Sequence, residues 1–154
     1  MSLHTGKKYI NNNVILGPGN IDEAEKNNPI NHTDLEWNSW REKALIRDDI
    51  YYFSIFYKES VIGEIFLHDI NRDKAEALVG YHIFNPDFRK KGIGTTSLKL
   101  LQEFVKESEE LKKLTIITAD NNISSKKISE KCGFKLIGPS WEDQKMVVYE
   151  WIVK

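Results

Sequence analysis

The stretch GYHIFNPDFRKKGIGTTSLKLLQEF, residues 80–104, decides the fold because it changes character twice. It begins as an apolar strand, passes through a charged loop, and continues as a helix whose apolar residues recur every three or four positions. Gly92 and Gly94 allow close approach to the backbone, and RKK at 89–91 adds positive charge. Because the first N–H groups of a helix favour anions, the stretch predicts a phosphate-holding loop.

Two familiar phosphate loops do not fit this stretch. No Gly-Lys-Ser/Thr follows at Walker-loop spacing, and Ser97 stands where a dinucleotide-binding loop needs its third glycine. Taken alone, the Gly-x-Gly pair also fits an ordinary helix-entry turn flanked by solvent-exposed lysines. The rest of the chain has to distinguish these interpretations.

Strand and helix patterns alternate on both sides of the loop. Asn122 is a suitable N-cap for a helix in 121–134, and Gly133 is a suitable stop. The predicted elements are a short strand near 14–16, a helix from Asp34 to about 46, strands at 50–57, 60–70 and 75–84, the long helix from Gly92 or Gly94, a strand at 114–119, the helix in 121–134, and strands at 134–137 and 146–153. This order predicts an α/β (α+β) domain, with helices flanking a mixed, mostly antiparallel sheet of six to seven strands.

Bulk composition excludes several classes of function. The chain has 154 residues, 40% of them apolar, which fits a single domain over residues 1–154. Lys and Arg (22) nearly balance Asp and Glu (23), so no overall field favours a nucleic acid or an anionic membrane. Cys132 is the sole cysteine, and the four histidines lack metal-site spacing. With no signal peptide or apolar span, a reducing cytoplasm is expected.

Two motifs in this order resemble the GNAT superfamily of N-acetyltransferases. Arg89, Gly92 and Gly94 occupy the core of its Arg/Gln-x-x-Gly-x-Gly/Ala motif. The second motif, Asn-x-x-Ser followed by Glu-Lys-x-Gly-Phe, is carried by Asn122, Ser125, Glu130, Lys131, Gly133 and Phe134. The resemblance covers about residues 50–152. It is closest to the branch containing ribosomal-protein N-terminal acetyltransferases and small-molecule acetyltransferases.

The resemblance implies a GNAT fold with a splayed strand pair that holds acetyl-CoA as cosubstrate, with no metal. Backbone N–H groups from 89 to 95 would hold the pyrophosphate, and the strand end would pair with the pantetheine arm and polarise the acetyl carbonyl. Asn122 and Ser125 would contact the same arm, although Asn122 also suits a helix cap. The implied cofactor-binding residues are Ile83, Phe84, Arg89, Lys90, Lys91, Gly92, Ile93, Gly94, Thr95, Asn122 and Ser125.

The family's chemistry, direct attack of an amine on the thioester, needs a base. A lysine-like amine is neutral only about once in 2,500 molecules at pH 7, equivalent to about 4 to 5 kcal/mol. Period two places Glu76, Leu78, Gly80 and His82 on one strand face. Leu78 stands where some members carry a catalytic glutamate, so that role does not carry over. The candidates, in order, are Glu76, His82 and Glu64.

The group that meets the departing thiolate is left open. Many family members use a tyrosine four residues before the glycine of Gly-Phe, and Ser129 occupies that position here. A serine hydroxyl is a far weaker acid than a phenol. Either another group supplies the proton, or the thiolate leaves unassisted.

The acceptor is also left open. In this fold it is selected by about residues 30–50 and the last hairpin, and both a small polyamine or antibiotic amine and a protein N-terminus fit. The aromatic residues that either line an acceptor pocket or enter the core are Trp37, Trp40, Tyr51, Tyr52 and Trp141. A homodimer is compatible with the sequence. The alternative function is a non-catalytic CoA-binding sensor, which Leu78 and Ser129 favour.

Overall fold

The computed structural model describes residues 8–11, 13–27, 35–89 and 91–154. The strands are β1 (Tyr9–Asn11), β2 (Val14–Pro18), β3 (Tyr51–Tyr57), β4 (Ser60–Asn71), β5 (Glu76–Ile83), β6 (Lys113–Ala119), β7 (Lys135–Pro139) and β8 (Met146–Ile152). The helices are α1 (Ile21–Asn27), α2 (Leu35–Ala44), α3 (Pro86–Arg89), α4 (Ile93–Ser108) and α5 (Ile123–Lys131).

The eight described strands form one mixed sheet in the order β1-β2-β3-β4-β5-β6-β8-β7. Every neighbouring pair is antiparallel except β5 and β6, which are parallel. The crossover between these two strands contains α3 and α4, as a parallel connection requires. The glycine-bearing loop before α4 therefore belongs to the crossover that connects β5 to β6 in the middle of the sheet.

Helices pack against both faces of the sheet, and the alternation of side chains along β3 decides which residues meet which helix. Tyr51 and Phe53 face α4, where both rings meet Phe104 edge to face at 5.4 and 5.1 Å between centroids. Tyr52 lies between them in sequence and points to the other face, where it packs near Trp40 of α2. The apolar residues that predicted α4, namely Leu98, Leu101, Phe104 and Val105, are all buried.

The predicted fold class is confirmed, with corrections in its shortest parts. The sheet has an eighth strand, β1, which the prediction of six to seven strands missed because it spans three residues in an Asn-rich run. The short helices α1 and α3 were also missed. The predicted helix from Asp34 to 46 corresponds to α2, and Asp34 itself lies outside the described residues.

The aromatic residues that were expected either to line an acceptor pocket or to enter the core differ in their burial. Tyr51 and Tyr52 are buried, and Trp40 packs against the small cluster around Tyr52. Trp141 is 91% exposed in the turn between β7 and β8, so of the two alternatives it does not enter the core. The side chain of Trp37 is outside the described part of the chain. Among the described helices, none has the length and hydrophobicity needed to span a bilayer.

Candidate active site

The sheet opens at its centre, between β5 and β6. These strands pair only where Glu76–Leu78 meets Lys113–Thr115, yet β5 continues to Ile83 and β6 to Ala119. Beyond Leu78 the two strands, which are fully described there, share no ladder. The gap between their ends is the splayed strand pair that the resemblance implied.

The end of β5 supplies one wall of this gap. Ile83 and Phe84 are both buried, and the Phe84 N–H donates to the carbonyl oxygen of Ile62 on β4 at 2.9 Å. Because successive amides of a strand point to opposite sides, the amide of Ile83 faces away from β4 and toward the gap. The Phe84 N–H is thus engaged within the sheet, and the backbone of Ile83 lines the gap.

The loop before α4 has glycines for two different reasons. Gly92 is the N-cap, with φ 74° and ψ 12°, and a Cβ placed on it would meet nothing within 4 Å. Gly94 packs against α5, where a Cβ would come within 2.9 Å of Ile128 Cδ1. No described side chain caps this helix end, so the N–H groups of Ile93, Gly94 and Thr95 remain at an open, electropositive terminus.

The basic residues of the loop are placed in part. The Lys91 ammonium lies 6.0 Å from the ring centre of Tyr57 and 5.8 Å from that of Phe88. Arg89 is the last residue of α3, and Lys90 lies outside the described residues. Lys91 directly precedes the N-cap Gly92, so one described basic residue adjoins the open helix end, which would favour a polyanion such as pyrophosphate.

The start of α5 forms the opposite wall of the gap. The Asn122 side-chain oxygen accepts a hydrogen bond from the Ser125 backbone N–H at 3.1 Å, so the predicted helix cap is confirmed. The Ser125 hydroxyl lies 2.8 Å from the phenol oxygen of Tyr81 on β5. Ser129 is fully buried and donates to the Ser125 carbonyl at 2.9 Å, which commits its hydroxyl proton to the helix.

A buried charge cluster lies on the other sheet face, beneath the end of β5. Glu64 is fully buried and accepts two hydrogen bonds from Arg41 of α2, at 2.8 and 3.0 Å. It also accepts a hydrogen bond from the Tyr52 hydroxyl. Its third partner is Nδ1 of His82, on the neighbouring strand, which makes the fourth hydrogen bond at 2.9 Å. The His82 side chain is 41% exposed, so it is the member of this four-residue cluster that reaches solvent.

The protonation of this cluster follows from its hydrogen bonds. Burial alone would raise the pKa of Glu64, but the hydrogen bonds from His82, Arg41 and Tyr52 lower that pKa to about 2. Burial raises the pKa of Tyr52, and the charge of Glu64 raises it further. Since Glu64 is a carboxylate and the phenol stays protonated, Nδ1 of His82 must carry a hydrogen. Nε2 is therefore the ring nitrogen that can take up a proton.

An aromatic wall stands beside His82. The Phe66 ring lies over Gly80, so closely that a Cβ at this position would clash with it. The ring centre of Phe66 is 6.0 Å from that of His82 and 4.6 Å from that of Trp40 on α2. The aromatic wall beside His82 is thus made of rings tilted against one another, and aromatic rings of this kind can pack against the apolar part of an amine or a cationic group.

The structure places the three candidate bases very differently. His82 and Glu64 are hydrogen-bonded to each other near the end of β5. Glu76 lies at the other end of the strand, six residues and therefore about 20 Å from His82. Its carboxylate pairs with Lys113 at 3.2 Å. Glu76 and His82 were expected on the same face of β5, and they do lie there, but only His82 is close to the gap between β5 and β6.

Replacing Glu64 with glutamine is expected to lower the free energy of unfolding by about 3 kcal/mol or more, because the Arg41 guanidinium would stay buried without its carboxylate. Glu150→Gln is the matched control. Glu150 is one of two carboxylates that pair with the partly exposed Lys113, so this change should alter stability by about 0.5 kcal/mol or less. Chemical denaturation measures both. Equal losses in the two variants would show that the cluster is not a special contributor.

The wild-type protein and the Glu64→Gln variant should also differ in how their stability depends on pH in the acidic range. A carboxylate with a lowered pKa stabilises the fold above its ordinary value, here 4.5, and loses that contribution as the pH falls toward about 2. The stability difference between wild type and Glu64→Gln should therefore shrink over this window. A difference that stays constant would contradict the ionised, hydrogen-bonded Glu64.

Sequence reasoning missed Arg41 and Tyr81, and it named Tyr52 only as an aromatic residue that either lines an acceptor pocket or enters the core. Arg41 lies 23 residues from Glu64 in the chain, and no local pattern announces that pairing. Tyr52 is one of several aromatics in β3, and only its strand face separates it from Tyr51. Tyr81 had a usable signal, because period two places it on the face of β5 opposite His82, with Ile83.

A family model described as "Acetyltransferase (GNAT) domain" matches residues 15–135. The chain is 32% identical over 80 residues to YdaF of Bacillus subtilis (strain 168), named as a provisional ribosomal N-acetyltransferase. That alignment covers 52% of this chain and 43% of YdaF, so the chain spans less than half the length of this relative.

Two solved structures illustrate the shared fold. The apo form of the ribosomal alpha-N-protein acetyltransferase RimL superposes with a TM-score of 0.80 at 16% identity, covering 96% of this chain and 94% of RimL. The microcin C7 self-immunity acetyltransferase MccE, crystallised with acetyl-CoA and AMP, superposes with a TM-score of 0.77 at 20% identity, covering 93% of this chain and 94% of MccE. At these identities the likeness concerns the fold alone.

Proposed function

This chain belongs to the GNAT acetyltransferase family, and from that premise we propose that it transfers the acetyl group of acetyl-CoA to a primary amine. The single observation that carries the proposal is the position of His82. A half-exposed imidazole, backed by a buried carboxylate at 2.9 Å, lies next to Ile83, where the central strands separate. A base beside the gap is what amine attack on a thioester requires.

His82 is the base in this proposal, and Glu64 is its partner. Nε2 of His82 accepts the proton that the amine loses as its nitrogen bonds to the acetyl carbon. Glu64 fixes the ring tautomer and stabilises the imidazolium that results, as a carboxylate does for a catalytic histidine. Glu64 is a poor base itself, because three neighbouring groups donate to it and its pKa is about 2. Glu76 is distant from the gap and paired with Lys113, so it ranks below His82 and Glu64 in the proposed mechanism.

The residues of the gap and loop fit acetyl-CoA, which supplies the activated acetyl thioester when bound. The open N-terminus of α4 at Gly92, Ile93, Gly94 and Thr95, with Arg89, Lys90 and Lys91 before it, would hold the pyrophosphate. Ile83 and Phe84 would line the pantetheine arm on one side. Asn122 and Ser125 would line it on the other, with Asn122 acting through its cap of α5.

The acceptor remains a choice between two kinds of amine. The names of YdaF and RimL refer to ribosomal or protein acetylation, and that of MccE to microcin C7 self-immunity. We propose that this chain accepts either a protein N-terminus or a small-molecule amine at the aromatic wall beside His82. A cytoplasmic location is consistent with this proposal, since Cys132 is a buried, free thiol.

Acetyl-CoA is expected to raise the melting temperature of the protein more than ATP or NAD does. A ligand that binds only the folded state stabilises it by about 2.7 kcal/mol at 100 times its dissociation constant. For a chain of this length that corresponds to about 5 to 10 °C. Thermal denaturation with each nucleotide at matched concentration provides the measurement. A larger shift with ATP than with acetyl-CoA would overturn the assignment of the loop.

A further inference from the structure

A buried guanidinium, that of Arg41 on α2, reaches the end of β5 in two ways. The Arg41 side chain is only 1% exposed, and arginine is almost never buried to this degree unless it is paired. Its Nε and Nη2 donate to the two oxygens of Glu64, which is the partner of His82. Its guanidinium carbon also lies 5.8 Å from the ring centre of Phe84, the residue that follows Ile83 at the gap.

The two oxygens of the Glu64 carboxylate have different partners. Oε1 accepts from Nε of Arg41 at 2.8 Å and from the Tyr52 hydroxyl. Oε2 accepts from Nη2 of Arg41 at 3.0 Å and from Nδ1 of His82 at 2.9 Å. Two parallel N–H bonds from one planar guanidinium fix the plane of a carboxylate, whereas a single bond leaves it able to rotate. The orientation that directs Oε2 to His82 is therefore set from α2.

Neither the strand register nor Tyr52 fixes this orientation alone. Glu64 and His82 are directly opposite each other on β4 and β5, so the register brings the two side chains together. The last torsion of a glutamate is broad, however, so the carboxylate can still turn at that position. Tyr52 donates to Oε1 only. Arg41 is the described residue that donates to both oxygens.

We propose that Arg41 is a positioning residue for acetyl transfer: its two bonds to Glu64 keep Oε2 on Nδ1 of His82, and so keep the proton-accepting lone pair on Nε2. This inference rests on the proposed function. Arg41 takes up no proton and acts through Glu64. If the carboxylate turned away from Nδ1, the ring hydrogen could move to Nε2, and the base would then be a donor where it has to accept.

The direct test is the tautomer of His82, read by NMR from the chemical shifts of the two ring nitrogens at a pH where the ring is neutral. Wild type should carry the hydrogen on Nδ1, and a wild-type hydrogen on Nε2 overturns the proposal without any variant. Arg41→Lys keeps the charge but loses the planar fork, and Arg41→Gln keeps an N–H donor without the charge. Both variants should show a mixture of tautomers, and the wild-type tautomer in both would overturn the proposal.

A double-mutant cycle separates positioning of the base from general damage to the fold. Arg41→Lys should lower kcat about 10-fold or more, because a misplaced base loses most of its contribution. KM for acetyl-CoA should stay within about 3-fold, since the cosubstrate site is intact. In the His82→Asn background, where the base is absent, the same change should lower kcat less than about 2-fold. An equal loss in both backgrounds would show that Arg41 only supports the fold and would overturn the proposal.

Arg47→Lys is the matched control. Arg47 also binds a carboxylate through two nitrogens, that of Asp49 at 2.8 and 2.6 Å, but on the exposed surface. This variant should keep the wild-type tautomer and kcat, and a loss equal to that of Arg41→Lys would overturn the proposal. If wild type transfers no acetyl group to any amine, the proposed function is overturned, while the tautomer comparison still decides whether Arg41 orients His82.

Discussion

Replacing His82 with asparagine is expected to lower kcat/KM at neutral pH by about 100-fold or more, the usual contribution of a positioned general base. The asparagine amide reaches as far as Nδ1, so Glu64 keeps an N–H donor, while Nε2 is removed. The loss should diminish as the pH rises, because more of the acceptor amine then arrives neutral. Steady-state kinetics across pH, with the acceptor below its KM, provide the measurement.

Glu76→Gln is the matched control for this variant. It removes a carboxylate from the same face of β5, at the end held by Lys113, and should leave kcat/KM near the wild-type value. Two results would contradict the assignment: a pH-dependent loss in Glu76→Gln with His82→Asn near wild type, or a loss in His82→Asn that alkali does not relieve. Either would return Glu76 or bulk water to the role of base.

Replacing Gly92 with aspartate is expected to weaken acetyl-CoA binding about 100-fold. A carboxylate about 5 Å from a phosphate charge costs about 1 to 3 kcal/mol, depending on the effective dielectric constant, and the pyrophosphate carries more than one charge. Aspartate tolerates the left-handed backbone of Gly92, and the space beside it is open, so the fold should be retained. Calorimetric titration with acetyl-CoA measures the effect.

Gly92→Asn separates charge from shape in this experiment. Asparagine has nearly the size of aspartate and the same tolerance of positive φ, but it brings no charge, so its affinity should stay within about 10-fold of wild type. If the two variants weaken binding equally, sterics at Gly92 explain the loss. If neither weakens it, the open end of α4 does not hold the pyrophosphate.

The elements with long, regular patterns were predictable from sequence. Strands β3 to β6 and helices α4 and α5 all lie where apolar periodicity placed them, because packing against a common core enforces that period over many residues. Asn122 and Gly133 marked the ends of α5 by local chemistry alone. The three-residue strand β1 and the four-residue helix α3 were missed, because such short runs carry no period.

The details of the candidate site were less accessible, since they depend on which distant residues meet. Period two placed Glu76 and His82 on one face, but only the register of β5 against β4 and β6 shows that His82 meets Glu64 while Glu76 meets Lys113. The Arg41 guanidinium reaches Glu64 from a helix that sequence predicted only approximately. The spacing of residues along the chain does not indicate which distant side chains come into contact.

The most direct test of the proposed function is product analysis with acetyl-CoA and a panel of amines that includes polyamines, antibiotic amines and peptides with free N-termini. The proposal predicts that at least one acceptor gains a single acetyl group on nitrogen, by mass spectrometry, with an equal amount of CoA thiol released, and that His82→Asn suppresses both. Binding of acetyl-CoA without transfer to any amine would contradict it and would identify the chain as a CoA-binding sensor.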